Sequence, residues 1–92
     1  MAENKERELR IPPLAQIDDG AIEIVRIWSG SEALHFIIKS DVWKDPFTWG
    51  LLLVDLARHS ASAYAQAHGT DTGEALKQFK NGFDAEWSNP TD

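Results

Sequence analysis

The sequence predicts an α+β fold, a β-hairpin packed against one long helix and a shorter antiparallel helix. Three observations carry that prediction. Two runs rich in isoleucine, valine and aromatics, residues 21–28 and 33–39, flank the break Ser29-Gly30-Ser31-Glu32. A longer stretch opens on Asp45-Pro46 and stops at Gly69, with helix start and stop signals at both ends. A final stretch places Leu76, Phe79, Phe83 and Trp87 at intervals of three, four and four, the spacing of one helical face.

Residues 1–10 are charged and are expected to form a flexible N-terminus, leaving 11–92 as a single α+β domain. Leu9, Ile11 and Leu14 around Pro12-Pro13 predict an extended segment along a sheet edge or over the core, because proline cannot donate to a ladder. Asp18-Asp19-Gly20 is a turn signal.

For the hairpin, a two-residue type II′ turn at Gly30-Ser31 uses glycine where φ must be positive. That register pairs Ile27 with Leu34, Val25 with Phe36 and Glu23 with Ile38. One face then carries Val25, Ile27, Leu34, Phe36 and Ile38. The other carries Ile22, Ile24, Arg26, Trp28, Ala33, His35, Ile37 and Lys39. A slip of one residue would scatter the apolar set over both faces. The second face is about half apolar, more than a solvated face requires. Two readings stay open for it: cover by the Leu9–Leu14 segment or a helix, or contact with a partner.

Asp45 suits an N-cap, Pro46 the first helical position and Gly69 the site after the last turn. The span from Pro46 to His68 measures about 34 Å at the α-helical rise. Trp49, Leu53, Leu56, Ala57, Ser60, Tyr64 and Ala67 project onto one broad side. The first half is apolar nearly all round and is expected to be the most buried part. The second half is rich in alanine and serine, which permits close approach by another element. A second helix is predicted from Thr72 to about Trp87, with Asp71 and Glu74 at capping-box spacing. Trp49 and Trp87 are expected in the core, with Trp43 plugging the connector. Gly82 costs about 1 kcal/mol inside a helix, which implies close packing or a bend there. Gly73 has no evident role.

The composition is that of a globular chain: 42% hydrophobic and 26% charged over 92 residues. Nine lysines and arginines against 15 aspartates and glutamates give a formal net charge of −6. Phosphate backbones and anionic membranes both draw their ligands through cations, so neither is an expected partner. With no cysteine, disulfides, thiolate metal sites and thiol nucleophiles are excluded. The apolar run Trp49–Val54 is too short to span a bilayer, and the start of the chain lacks the apolar region of a signal peptide. Cytoplasm is the expected location.

The runs Trp49-Gly50-Leu51-Leu52-Leu53-Val54-Asp55-Leu56-Ala57-Arg58-His59, then Tyr64, then Gly82-Phe83-Asp84-Ala85-Glu86-Trp87 resemble a family of short bacterial proteins, chiefly proteobacterial, that form a domain of unknown function. The likeness covers roughly residues 20–92. It implies a free-standing bacterial domain and transfers no activity.

Asp55, Arg58 and His59 are the most chemical-looking cluster. Asp55 could orient His59 as a general base, or Arg58 and His59 could grip an anion; equally, the spacing is that of an ordinary helix-surface link. His35, His59 and His68 share no short spacing, and the H-E-x-x-H pattern does not occur, so no metal is expected. The glycines form no phosphate loop, and no cofactor is expected.

Three functional classes follow. The first is a small interaction or regulatory module, homodimeric through the hairpin, with Ile22, Ile24, Arg26, Trp28, His35 and Ile37 at its interface. In it, a dimer-related strand would extend the hairpin and cover an edge. The second is a small-molecule binding protein with a pocket between hairpin and helices. The third is an enzyme using Asp55 and His59.

Overall fold

The computed structural model describes residues 7–91; residues 1–6 of the expected flexible N-terminus lie outside the described residues. Two compact units divide the chain, Met1–Val42 and Trp43–Asp92. The order of elements is α1 (Pro13–Ile17), β1 (Val25–Ser29), β2 (Leu34–Ile38), α2 (Pro46–His68) and α3 (Thr72–Ser88), a mixed α+β arrangement.

In the first unit, the segment expected to be extended turns into the single helical turn α1. Pro13 occupies its first position, where the missing N–H costs nothing. The amides of Ala15 and Gln16 both donate to the Pro12 carbonyl, and the Gln16 side chain donates back to the Ile11 carbonyl at 3.1 Å. Two prolines in a row thus start a helix here, a role the extended reading overlooked. The turn after it is as expected: the Gly20 amide donates to the Asp18 carboxylate and the Ala21 amide to the Asp18 carbonyl, both at 2.9 Å.

β1 and β2 pair antiparallel, with Val25 opposite Ile38, Ile27 opposite Phe36 and Ser29 opposite Leu34. This corrects the predicted register by two residues and replaces the two-residue turn with a longer connection, closed by the Gly30 amide donating to the Ala33 carbonyl at 2.9 Å. Gly30 does not have a positive φ. Its glycine is required by crowding: a Cβ at this position would lie 2.5 Å from His35 Nε2 and 2.8 Å from the Ala33 oxygen. A shift of two preserves side-chain parity, so both predicted faces survive the correction. Alternation identifies a face; it does not count turn residues. The strands are also shorter than the runs that predicted them.

In the second unit, α2 begins and ends where its caps predict. The Asp45 side chain accepts from the Phe47 amide at 3.0 Å, and Gly69 adopts the left-handed conformation at φ 68° while its amide donates to Ala65. α3 is capped by Asp71, which accepts from the Glu74 amide at 3.0 Å. Glu74 makes its side-chain link to Lys77 at 3.8 Å. At Gly73 a Cβ would come within 3.1 Å of the capping carboxylate of Asp71. At the far end, Thr91 donates from its amide and hydroxyl to the Glu86 carboxylate, both at 3.0 Å.

The two helices meet along a seam of small residues. Ala61, Ala65 and Ala75 are the buried hydrophobic residues among those described. Tyr64 meets Phe79 edge-on at 6.3 Å between ring centroids, and Trp43 meets Trp49 edge-on at 5.0 Å. The alanine-rich half of α2 is thus its most buried part, reversing the expectation for its apolar first half. Phe47, Leu51, Leu53, Val54 and Leu56 all remain about half exposed or more. Helix backbones approach closest where side chains are smallest, so the seam forms at alanine and not at leucine. Trp87, expected in the core, stacks on Phe83 at 5.7 Å yet is 75% exposed. Gly82 shows no close packing, since a Cβ there would meet nothing within 4 Å.

Candidate functional site

The hairpin exposes Ile22, Ile27, Leu34, Phe36, Ile37 and Ile38, and its outer edges have no strand partner among the described residues. Pairing fixes where its main-chain groups point. The Lys39 amide donates to the Ile24 carbonyl and the Gly30 amide to the Ala33 carbonyl, both at 2.9 Å. Bonded pairs alternate along an antiparallel ladder, so Arg26 with Ile37 and Trp28 with His35 exchange the bonds between these two. The N–H and C=O groups of Val25, Ile27, Ser29, Leu34, Phe36 and Ile38 then point outward, away from the neighbouring strand. The sheet has two strands, and among the described residues no third strand pairs with either edge.

The two edges differ. Beside β1 runs the segment from Arg7 to Pro12, held by side chains. Arg26 forms an ion pair with Glu8 and a two-pronged one with Glu23 at 3.1 and 3.2 Å. The hydrogen bond to Glu8, followed by that to Glu23, raises the Arg26 pKa further above its ordinary value. Arg26 therefore stays charged across any ordinary pH. The Arg7 guanidinium sits 5.6 Å from the Trp28 ring centroid, within cation–π range. Between segment and strand lies a groove of about 1000 Å³ whose walls include Leu9, Ile11, Ile22, Val25, Ile27 and Trp28. Among the described residues, no strand pairs with the outer edge of β2. All five of its residues are exposed, and it carries no Lys, Glu, Asp or Pro.

The predicted interface residues separate accordingly. Arg26 and Trp28 are half-buried beside Arg7 and Glu8, and Ile24 is half-buried as well. Ile22, His35 and Ile37 are exposed, Ile37 at 72%. The opposite face is also open: Ile27 is 49% exposed, Leu34 57%, Phe36 55% and Ile38 53%.

Asp55, Arg58 and His59 lie on an exposed side of α2. His59 Nδ1–H donates to the Asp55 main-chain carbonyl at 2.9 Å, the carbonyl one turn back, and not to its carboxylate. None of the three lines the groove beside β1 or the shallow hollow at Phe83 and Trp87. The i, i+4 spacing therefore yields a local helix contact without a carboxylate–imidazole dyad. No group of three or more His, Asp or Glu among the described residues could hold a metal ion. No helix among them is long and apolar enough to cross a membrane. Sequence reasoning foresaw that a second copy could cover an edge of the hairpin; its two-residue register gave no means of telling which edge.

Fold and site define a small α+β protein whose sheet has two strands among the described residues, β2 carrying no Lys, Arg, Asp or Glu. Residues 8–91 match the family described as a domain of unknown function, DUF5076, and the chain belongs to it. A solved protein of the photosynthetic bacterium Rhodopseudomonas palustrus is similar, with 38% identity and a TM-score of 0.71 over 92% of this chain and 87% of that one. That protein carries the provisional name of a pyruvate dehydrogenase. No curated protein matches the chain.

Proposed function

We propose that the chain is a small interaction module that acts as a homodimer through its hairpin. One observation carries the reading: a two-stranded sheet with apolar side chains exposed on both faces and outward main-chain groups on both edges. An isolated two-stranded hairpin is marginal in water, and large exposed apolar patches mark association sites. In this reading residues 11–92 work as one domain behind a charged N-terminal segment. Its partner is protein; a net charge of −6 disfavours nucleic acid and anionic membrane.

The dehydrogenase name of the R. palustrus protein is not extended to this chain. A shared fold does not carry an activity without the residues that perform it. Sedimentation equilibrium over a range of concentrations tests the proposal. A mass of two chains at micromolar concentration is expected; a single-chain mass throughout overturns it.

A second reading, small-molecule binding, draws support from the groove beside β1. It lies wholly within residues 7–29, has a ligand-sized volume, and its walls mix apolar residues with the charged Arg7, Glu8, Arg10, Glu23 and Arg26. Chemical-shift changes at the Trp28 indole with a panel of small apolar acids and amides would support it. No change at Trp28 with any of them would remove it.

A further inference from the structure

We propose that two copies join through β2, in an antiparallel register centred on Phe36, to make one continuous four-stranded sheet. The inference rests on the homodimer reading and specifies its edge and register. β2 reads Leu34-His35-Phe36-Ile37-Ile38, and its outward main-chain groups belong to Leu34, Phe36 and Ile38. A two-fold axis through Phe36 sets Phe36 against Phe36 of the second copy and Leu34 against Ile38 of the second copy. Every residue with outward groups then faces another such residue. All the free N–H and C=O groups of that edge are used, with none left over.

Side chains agree with the backbone. On the face shared with Val25 and Ile27, the new neighbours are Phe36 with Phe36 and Leu34 with Ile38, pairs that favour sheet association. On the other face His35 comes opposite Ile37. Strand edges normally carry a lysine, a proline or a bulge that blocks this kind of pairing, and β2 has none of the three. The charges lie just beyond its ends. The antiparallel register brings the Glu32 end of one copy beside the Lys39 end of the other, where Lys39 also pairs with Asp41 of its own chain at 3.3 Å. The β1 edge is the weaker candidate, because Arg7–Pro12 runs alongside it and is held there by Glu8 on Arg26.

The absence of cysteine makes single-cysteine variants clean reporters. In this register the Cα atoms of position 36 lie about 5.5 Å apart across the axis, whereas those of position 22 are roughly 35 Å apart by strand spacing and rise. A short bismaleimide is expected to convert Phe36→Cys into a covalent dimer and to leave Ile22→Cys monomeric on denaturing gels. Phe36→Lys, which sets two like charges face to face, is expected to weaken dimerisation at least tenfold. Circular dichroism shows whether that variant folds, and the two cysteine variants stand without it. A wild-type chain that sediments as a monomer overturns both the homodimer and the β2 register. A dimer that crosslinks in the Ile22→Cys variant and not in the Phe36→Cys variant keeps the homodimer and overturns the register.

Discussion

The two units close their hydrogen bonds in different ways, and the difference lies in what each leaves without a partner in its own chain. In Trp43–Asp92 each helix bonds within its own segment. Asp45, Gly69, Asp71 and Asn89 complete the ends, and small residues let α2 and α3 meet along Ala61, Ala65 and Ala75. In Met1–Val42 a strand can satisfy only one side of its backbone from its single partner. Each strand of the hairpin is therefore left with an outward row. A helical hairpin is complete in its polar bonding with two elements. A β-hairpin is not: each outer edge leaves a row of N–H and C=O groups for water or for a further strand.

That contrast can be broken most sharply at the helical seam. Ala61 is fully buried, so Ala61→Leu forces extra volume between α2 and α3 and is expected to cost about 1–3 kcal/mol in chemical denaturation. An unchanged midpoint would mean that the seam is looser than its burial states. At the hairpin, Gly30→Ala pushes a methyl against His35 and the Ala33 carbonyl. The ring can swing away; the carbonyl cannot without opening the Gly30–Ala33 bond. The expected cost is roughly 1 kcal/mol or more. Amide exchange should quicken over residues 24–39 while α2 and α3 keep their protection. Equal loss of protection in both units would show that they unfold together.

The smallest effect should come from Gly82→Ala, which is expected to stabilise the chain by about 0.5–1 kcal/mol. The new methyl meets nothing within 4 Å, and α3 gains helix propensity. A loss of stability there, appearing only at concentrations where the protein self-associates, would reveal a second surface used between copies.

Legibility in the sequence followed the same line. The limits of α2 were readable because a cap is a local device. Asp45, Pro46 and Gly69 act on amides and carbonyls within a few positions of themselves. The faces of the hairpin were readable because parity alone sets them. The turn was not, because the need for glycine at position 30 arises from the His35 ring across the connection. Burial was the least legible property. Phe47, Leu51, Val54 and Trp87 look like core by pattern, yet the pattern does not say which element arrives to cover them.

The sequence by itself determined the five hydrophobic residues of one hairpin face, the N-caps of α2 and α3, the glycine stop of α2 and an acidic chain free of thiol chemistry. These are consequences of side-chain identity, parity or neighbours a few positions away. Only the tertiary structure decided that α2 and α3 meet at alanines and that, among the described residues, no third strand pairs with the sheet. Each of those depends on which groups arrive from distant parts of the chain, and a one-dimensional pattern holds no distance between them.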